Sequence, residues 1–250
     1  MARGALPVAS QSASHVRNTT PVEQAPQPAF RLADPMPEIL GLFPTPLMRV
    51  TGALPSTLLL DLVAAYRRRA SQVNDRSKRL SHTEIMSPEA TPLLRSVSDA
   101  VLPHVTDFGT HLFGEQLNWQ LKEAWVNVLE TGGSQAMHNH ANSFVSGVIY
   151  LTVTNPSSGT VFMKSPAGHD FVFTNLHPGA EVGEFNAAKF AITDPEPGDL
   201  VLFPSYLLHE VPVNHGPQRI SLAFNAIPDR LNAWGYTIRF SGPGTPPRQP

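Results

Sequence analysis

Phe144-Val145-Ser146-Gly147-Val148-Ile149-Tyr150-Leu151-Thr152-Val153 is rich in β-branched and aromatic residues and runs into Asn155-Pro156-Ser157-Ser158-Gly159. The first stretch suits a pleated, half-buried surface, and the second carries turn chemistry. Together they predict a strand and a turn, with Thr160-Val161-Phe162-Met163 as a further strand. The same pattern recurs on both sides. Trp125 to Leu129 reads as a strand and Thr131-Gly132-Gly133 as a turn. Leu200 to Phe203, Glu210 to Val213 and Arg219 to Ile227 read as three more strands. Residues 164–192 are irregular, with a short strand expected around Phe171-Val172-Phe173.

Upstream the period changes to that of a helix. Leu58, Leu59, Leu62, Val63 and Tyr66 make one apolar stripe, with Ser56 as a candidate cap and a helix end near Arg69. Thr91-Pro92 predicts an N-cap followed by proline in the first helical turn. Leu94, Val97, Val101 and Phe108 continue that face, and Pro103 is expected to kink or divide it. Leu47-Met48-Arg49-Val50 is a short edge strand. Helices first and many short strands afterwards predict an α+β fold with an antiparallel barrel-like core and the helices packed outside.

The chain has 250 residues, 41% of them hydrophobic, which is enough for one core. Residues 1–37 are rich in Pro, Ala, Ser, Thr and Gln without an apolar period, and are expected to be a flexible leader. The folded domain is placed at 38–241 and a disordered tail at 242–250. The net charge of −2 argues against nucleic acid or an anionic membrane surface as partner. Cysteine is absent, which removes disulfides, thiolate ligands and a thiol nucleophile, and fits a cytoplasmic location. No apolar run is long enough to span a bilayer.

The chemistry centres on His138-Asn139-His140. On an extended strand, side chains i and i+2 share a face, so both imidazoles can reach one ion. His209 is the third candidate ligand, arriving from a distant strand after Phe203-Pro204-Ser205. Arg219 follows ten residues later, and Ser221, Ala223 and Asn225 share its strand parity. An arginine inside a small barrel needs a carboxylate. A ligand carboxylate meets that need; Glu210 or Asp199 would be the structural alternative.

These pieces, in this order, resemble the Fe(II)- and 2-oxoglutarate-dependent oxygenase superfamily, prolyl-hydroxylase-like branch. The match is best with an uncharacterised group of 2OG-Fe(II) oxygenases that opens on Leu-Phe-Pro-Thr-Pro, here Leu42 to Pro46, and closes on Arg-Ile-Ser…Phe-Asn, here Arg219 to Asn225. The resemblance implies a double-stranded β-helix (jelly roll), with Fe(II) and 2-oxoglutarate as cofactors. His138, His140 and His209 would hold the metal, and Arg219 with Ser221 the distal carboxylate of 2-oxoglutarate. Dioxygen and a small-molecule, amino-acid or peptide substrate would complete a C–H hydroxylation. The superfamily's first motif is His-X-Asp or His-X-Glu, and this chain has His140 where the carboxylate stands.

Two other readings stay open on sequence alone. Gly132, His138 and His140, with Gly198, Pro204 and His209, also resemble the two motifs of a cupin metal enzyme that does not use 2-oxoglutarate. A jelly roll that binds metal or ligand without turnover is the third. Iron together with 2-oxoglutarate binding marks the oxygenase, metal without 2-oxoglutarate the cupin, and neither the third reading.

Overall fold

A computed structural model describes residues 39–74, 77–164, 175 and 177–241. The expected leader, the expected tail, the Phe171–Phe173 strand and His169 lie outside these residues. From Met48 the elements are β1 (Met48–Val50), α1 (Ser56–Tyr66), β2 (Gln72–Val73), β3 (Lys78–His82), α2 (Pro92–Phe113), β4 (Trp119–His138) and β5 (Val145–Tyr150). They continue as β6 (Val161–Met163), β7 (Lys189–Ala191), β8 (Leu200–Pro204), β9 (His209–Val211), β10 (Arg219–Pro228), β11 (Arg230–Ala233) and β12 (Tyr236–Arg239).

The strand order is β1-β8-β5-β10-β4-β9-β6-β7, with β3 on β4 and β2 on β3; β11 and β12 form a separate hairpin. The register of every paired strand is antiparallel. β4 belongs to both halves of the roll. Trp119 to Leu129 pair with β10, and Gln135 and His138 pair with β9. Between these segments the strand turns a corner at Gly132, whose φ of 77° is the left-handed region that glycine tolerates. The expected turn at Thr131-Gly132-Gly133 is therefore a bend inside one continuous strand. It is held by Asn214, which exchanges backbone hydrogen bonds with Gly132 and Gly133. This is the double-stranded β-helix that the strand pattern and the resemblance predicted.

Both helices lie on the outer face of the large sheet, as expected. Leu59, Leu62 and Tyr66 of α1 and Leu94, Val97, Val101, Val105 and Phe108 of α2 join one core with Val126, Val128, Ile149, Ile220 and Leu222. Ser56 does not cap α1; the capping position is Pro55, without a side-chain bond. Thr91 does cap α2, accepting from the Leu94 N–H at 3.1 Å. Pro103 does not divide α2, which runs unbroken for 22 residues. A helix-interior proline costs about 3 kcal/mol, but each buried apolar side chain of α2 returns roughly 1.5–3 kcal/mol. Pro103 is also exposed, so water can reach the Asp99 carbonyl that it leaves without a donor.

Parity on β10 separates two environments. Ile220, Leu222, Phe224 and Ala226 face the helices. The alternate residues Arg219, Ser221, Ala223 and Asn225 face the inside of the roll. That inner face carries the site.

Candidate metal and carboxylate site

His138 ends β4 and pairs directly with His209, the first residue of β9. His140 is not on the strand, contrary to the expectation of two histidines at a strand's start. The chain leaves the ladder after His138 because the His140 N–H donates to the Ser205 carbonyl at 2.9 Å instead of to β9. The three side chains nevertheless converge: one ring nitrogen from each lies within 4.8 Å of the others. The Nε2 atoms of His140 and His209 are 3.2 Å apart. Two nitrogens each about 2.0–2.1 Å from one ion sit roughly 2.8–3.4 Å apart, so this spacing fits a shared metal.

The outward nitrogens are already committed. His138 Nδ1 donates to the Ala136 carbonyl at 2.8 Å and His209 Nδ1 to the Leu207 carbonyl at 2.9 Å. That tautomer leaves each Nε2 lone pair for a metal. Burial lowers the pKa of all three rings. His140 falls to about 4, with neighbouring His138 and Lys122 adding to the effect. His209 falls to about 3, again by burial first and then by His138. His138 is lowered by burial against the opposing bond to Ala136. Neutral imidazoles are the form that binds metal. A set of three suits Fe, Zn, Cu or Ni.

Arg219 lies in the same cavity and is 3% exposed. Among the described residues it has no carboxylate partner. Asp199 pairs with Arg49 at 2.7 Å and Glu210 with Lys189 at 2.8 Å, which removes both structural alternatives. Its Nη1 donates to Ser221 Oγ at 3.3 Å and its Nη2 reaches Thr160 Oγ1 at 3.5 Å, both neutral acceptors. The guanidinium carbon stands 5.1 Å from the Tyr150 ring centre. Its Nε has no partner. Burial pulls the Arg219 pKa down, against the Tyr150 contact. A buried cation with an unpaired N–H is costly, and an anionic ligand relieves that cost. The residues thus fit both a metal and a carboxylate, the two ends of 2-oxoglutarate.

Trp125, Asn127, Gln135 and Thr160 also line the cavity. The Trp125 ring lies 5.5 Å from that of His140. Asn127 lines the cavity, whereas Tyr150, buried against Arg219, and Tyr206, 66% exposed, are not among the lining residues. Gln135 and Thr160 were not singled out. Strand parity from His138 and the register of β6 would not have found them, because Gln135 sits at an irregular register and Thr160 just outside its strand. His177 lies elsewhere, bonding only to the Gly179 N–H among the described residues.

A β-roll with a histidine cluster and a buried arginine in one cavity fits a non-haem metal site in a jelly roll. Comparison with known proteins narrows it. Residues 123–225 match a family model described as "Putative 2OG-Fe(II) oxygenase". No curated protein matches the sequence. Among solved structures, HygX from Streptomyces hygroscopicus, with nickel and 2-oxoglutarate bound, is similar at TM-score 0.53 and 15% identity. The match covers 74% of this chain and 83% of that one. SnoN, a non-haem α-ketoglutarate-dependent epimerase from nogalamycin biosynthesis, gives TM-score 0.54 at 14% identity, over 74% of this chain and 80% of that one. A 2OG-Fe(II) oxygenase-family oxidoreductase from Burkholderia pseudomallei gives 0.50 at 13%, over 72% and 83%. At such identities these likenesses show the fold. The family match over residues 123–225 points to the Fe(II)/2-oxoglutarate-dependent oxygenases, a class whose cofactors are iron and 2-oxoglutarate. No described helix is long and apolar enough to cross a membrane.

Proposed function

We propose that His138, His140 and His209 hold the iron through their Nε2 atoms, and that Arg219, with Ser221, holds the distal carboxylate of 2-oxoglutarate. The observation that carries this reading is the buried guanidinium of Arg219, free of any carboxylate and with Nε unpaired among the described residues, in one cavity with the three histidines. The reaction is hydroxylation of a C–H bond: one atom of dioxygen enters the substrate, and the other enters the succinate left when 2-oxoglutarate loses CO2. The metal supplies the activation of dioxygen when bound. The protein's part is positional. Ala136 and Leu207 fix two ring tautomers, Ser221 and Thr160 aim the guanidinium, and Trp125 walls the cavity beside His140. HygX has been solved with hygromycin B bound, which supports a small-molecule substrate ahead of a peptide. The cysteine-free sequence supports a cytoplasmic setting.

An anaerobic titration with Fe(II) and then 2-oxoglutarate tests the assignment, read by the charge-transfer absorption of the chelate. Arg219→Ala is expected to keep the metal and lose at least tenfold in 2-oxoglutarate affinity, since a charge-assisted hydrogen bond contributes about 1.5–3 kcal/mol. Arg219→Lys keeps charge without the fork and should fall between. Unchanged 2-oxoglutarate binding in a folded Arg219→Ala protein would sink the co-substrate role.

A further inference from the structure

Three separated motifs meet at one point that the reaction does not explain. Ser146 lies in the Ser-Gly-Val-Ile-Tyr strand, Ser205 follows Phe203-Pro204, and Asn225 closes the Arg-Ile-Ser…Phe-Asn strand. All three are buried, at 1%, 1% and 2% exposure, and none lines the cavity with the histidines. Ser146 Oγ lies 2.9 Å from Ser205 Oγ and 2.7 Å from Asn225 Oδ1. Asn225 Nδ2 donates to Glu123 Oε1 at 2.7 Å. Register puts Ser146, Asn225 and Glu123 side by side across β5, β10 and β4.

The direction of every bond in this row follows from its last member. A carboxylate only accepts, so Asn225 must present its NH2 to Glu123 and its carbonyl oxygen to Ser146. The Ser146 hydroxyl proton is then committed to Asn225. Ser205 must therefore donate to Ser146. The row is polarised from Ser205 to Glu123, with no second arrangement that leaves all its members paired.

What the row holds is the segment 139–144. The Ser205 carbonyl accepts the His140 N–H at 2.9 Å, and the Ser205 N–H donates to the Phe144 carbonyl at 3.0 Å. At the far end, Lys122 pairs with Glu123 at 3.1 Å and donates to the Asn142 carbonyl at 3.3 Å. Asn142 itself has a φ of 57°, in the left-handed region that asparagine tolerates better than most residues. The segment carrying His140 is thus gripped from both ends of one hydrogen-bonded row.

We propose that Glu123, Asn225, Ser146 and Ser205 form a positioning relay that fixes the His140 loop and sets the geometry of the third metal ligand. The proposal rests on His140 being a ligand. A ligand on a strand is placed by its ladder, but His140 stands beyond the end of β4 and takes its placement from the relay. Groups behind metal ligands typically change metal affinity by about 10–100-fold when removed.

The test uses the full chain with Co(II) or Ni(II) alone as probe. Ser146→Ala strips the Ser205 hydroxyl and Asn225 of a partner. Asn225→Asp keeps an acceptor for Ser146 but sets a carboxylate against Glu123. Both are expected to weaken metal binding at least tenfold and to alter the visible Co(II) spectrum, while Glu123→Ala should weaken it and Glu123→Gln restore it, because an amide oxygen still accepts from Asn225. The Glu123 pair is half-exposed and guards against a buried variant that fails to fold. His140→Ala is measured alongside. If it loses metal affinity while the folded relay variants match wild type in affinity and spectrum, the relay proposal is overturned and the ligand assignment stands. If His140→Ala itself binds as wild type, the ligand assignment fails and the relay proposal with it.

Discussion

At the scale of single residues, charge decides what each group is for. Asp199 and Arg219 are both buried ions, yet only one is closed. Asp199 accepts from Arg49 Nε and Nη2 at 3.2 and 2.7 Å, from the Gly52 N–H at 3.0 Å and from the Glu196 N–H at 3.2 Å. Burial opposes its ionisation, but these donors outweigh it and hold the carboxyl below its ordinary value of 3.8. A carboxyl lowered on folding contributes stability above about pH 4 and loses it as pH falls through the folded value. Asp199→Asn is accordingly expected to be less stable than wild type in urea melts at pH 7, with the gap narrowing towards pH 2.5. A constant gap would mean that Asp199 does not carry this titration. Arg219 was left open in the sequence, with no Asp or Glu in its own strand and only Glu210 or Asp199 as structural alternatives. That absence was legible. The Ser146–Ser205–Asn225 row was not, because its members are 59 and 79 residues apart and their meeting depends on register across three strands.

At the scale of elements, period carried most of the fold. Alternation on β10 assigned both faces correctly, and Thr91-Pro92 marked the start of α2. Corners and caps were harder. Thr131-Gly132-Gly133 has the chemistry of a turn, and only pairing with Asn214 and β9 makes it a bend in β4. Ser56 has the chemistry of a cap, and only the local backbone puts Pro55 in that place. Close approach of elements also hides in glycines. A Cβ on Gly147 of β5 would fall on the Phe224 ring, which is fully buried between sheet and helices. Gly147→Ala should destabilise by about 1–3 kcal/mol through overpacking, read as a melting temperature lower by roughly 2–12 °C at 2–4 °C per kcal/mol. Unchanged melting would show that Phe224 has room to move.

At the scale of the molecule, an ion held by the three histidines, as proposed, would do more than serve the reaction. His140 and His209 stand 69 residues apart in sequence with their Nε2 atoms 3.2 Å apart, and β6 and β7 of the smaller half-roll lie between them in the chain, with β9 starting at His209 itself. An ion there acts as a reversible cross-link that closes a long loop. Bringing ligands together across a loop of that length costs the unfolded chain entropy that grows with the logarithm of its length, so an ion would bind the folded chain in preference and favour it by mass action. β6, β7 and β9 are three residues each, and β7 is fully exposed. β6 buries only Phe162, and β9 only His209 and Val211, so few side chains hold these short strands. Amide hydrogen exchange should therefore slow in β6 and β9 on adding Ni(II), while β10, buried along its whole length, stays as protected without metal as with it. Equal slowing in both strands would instead mark a change in global stability. On this view the iron fastens half of the fold that surrounds it, and loss of metal would open the roll from its smaller side.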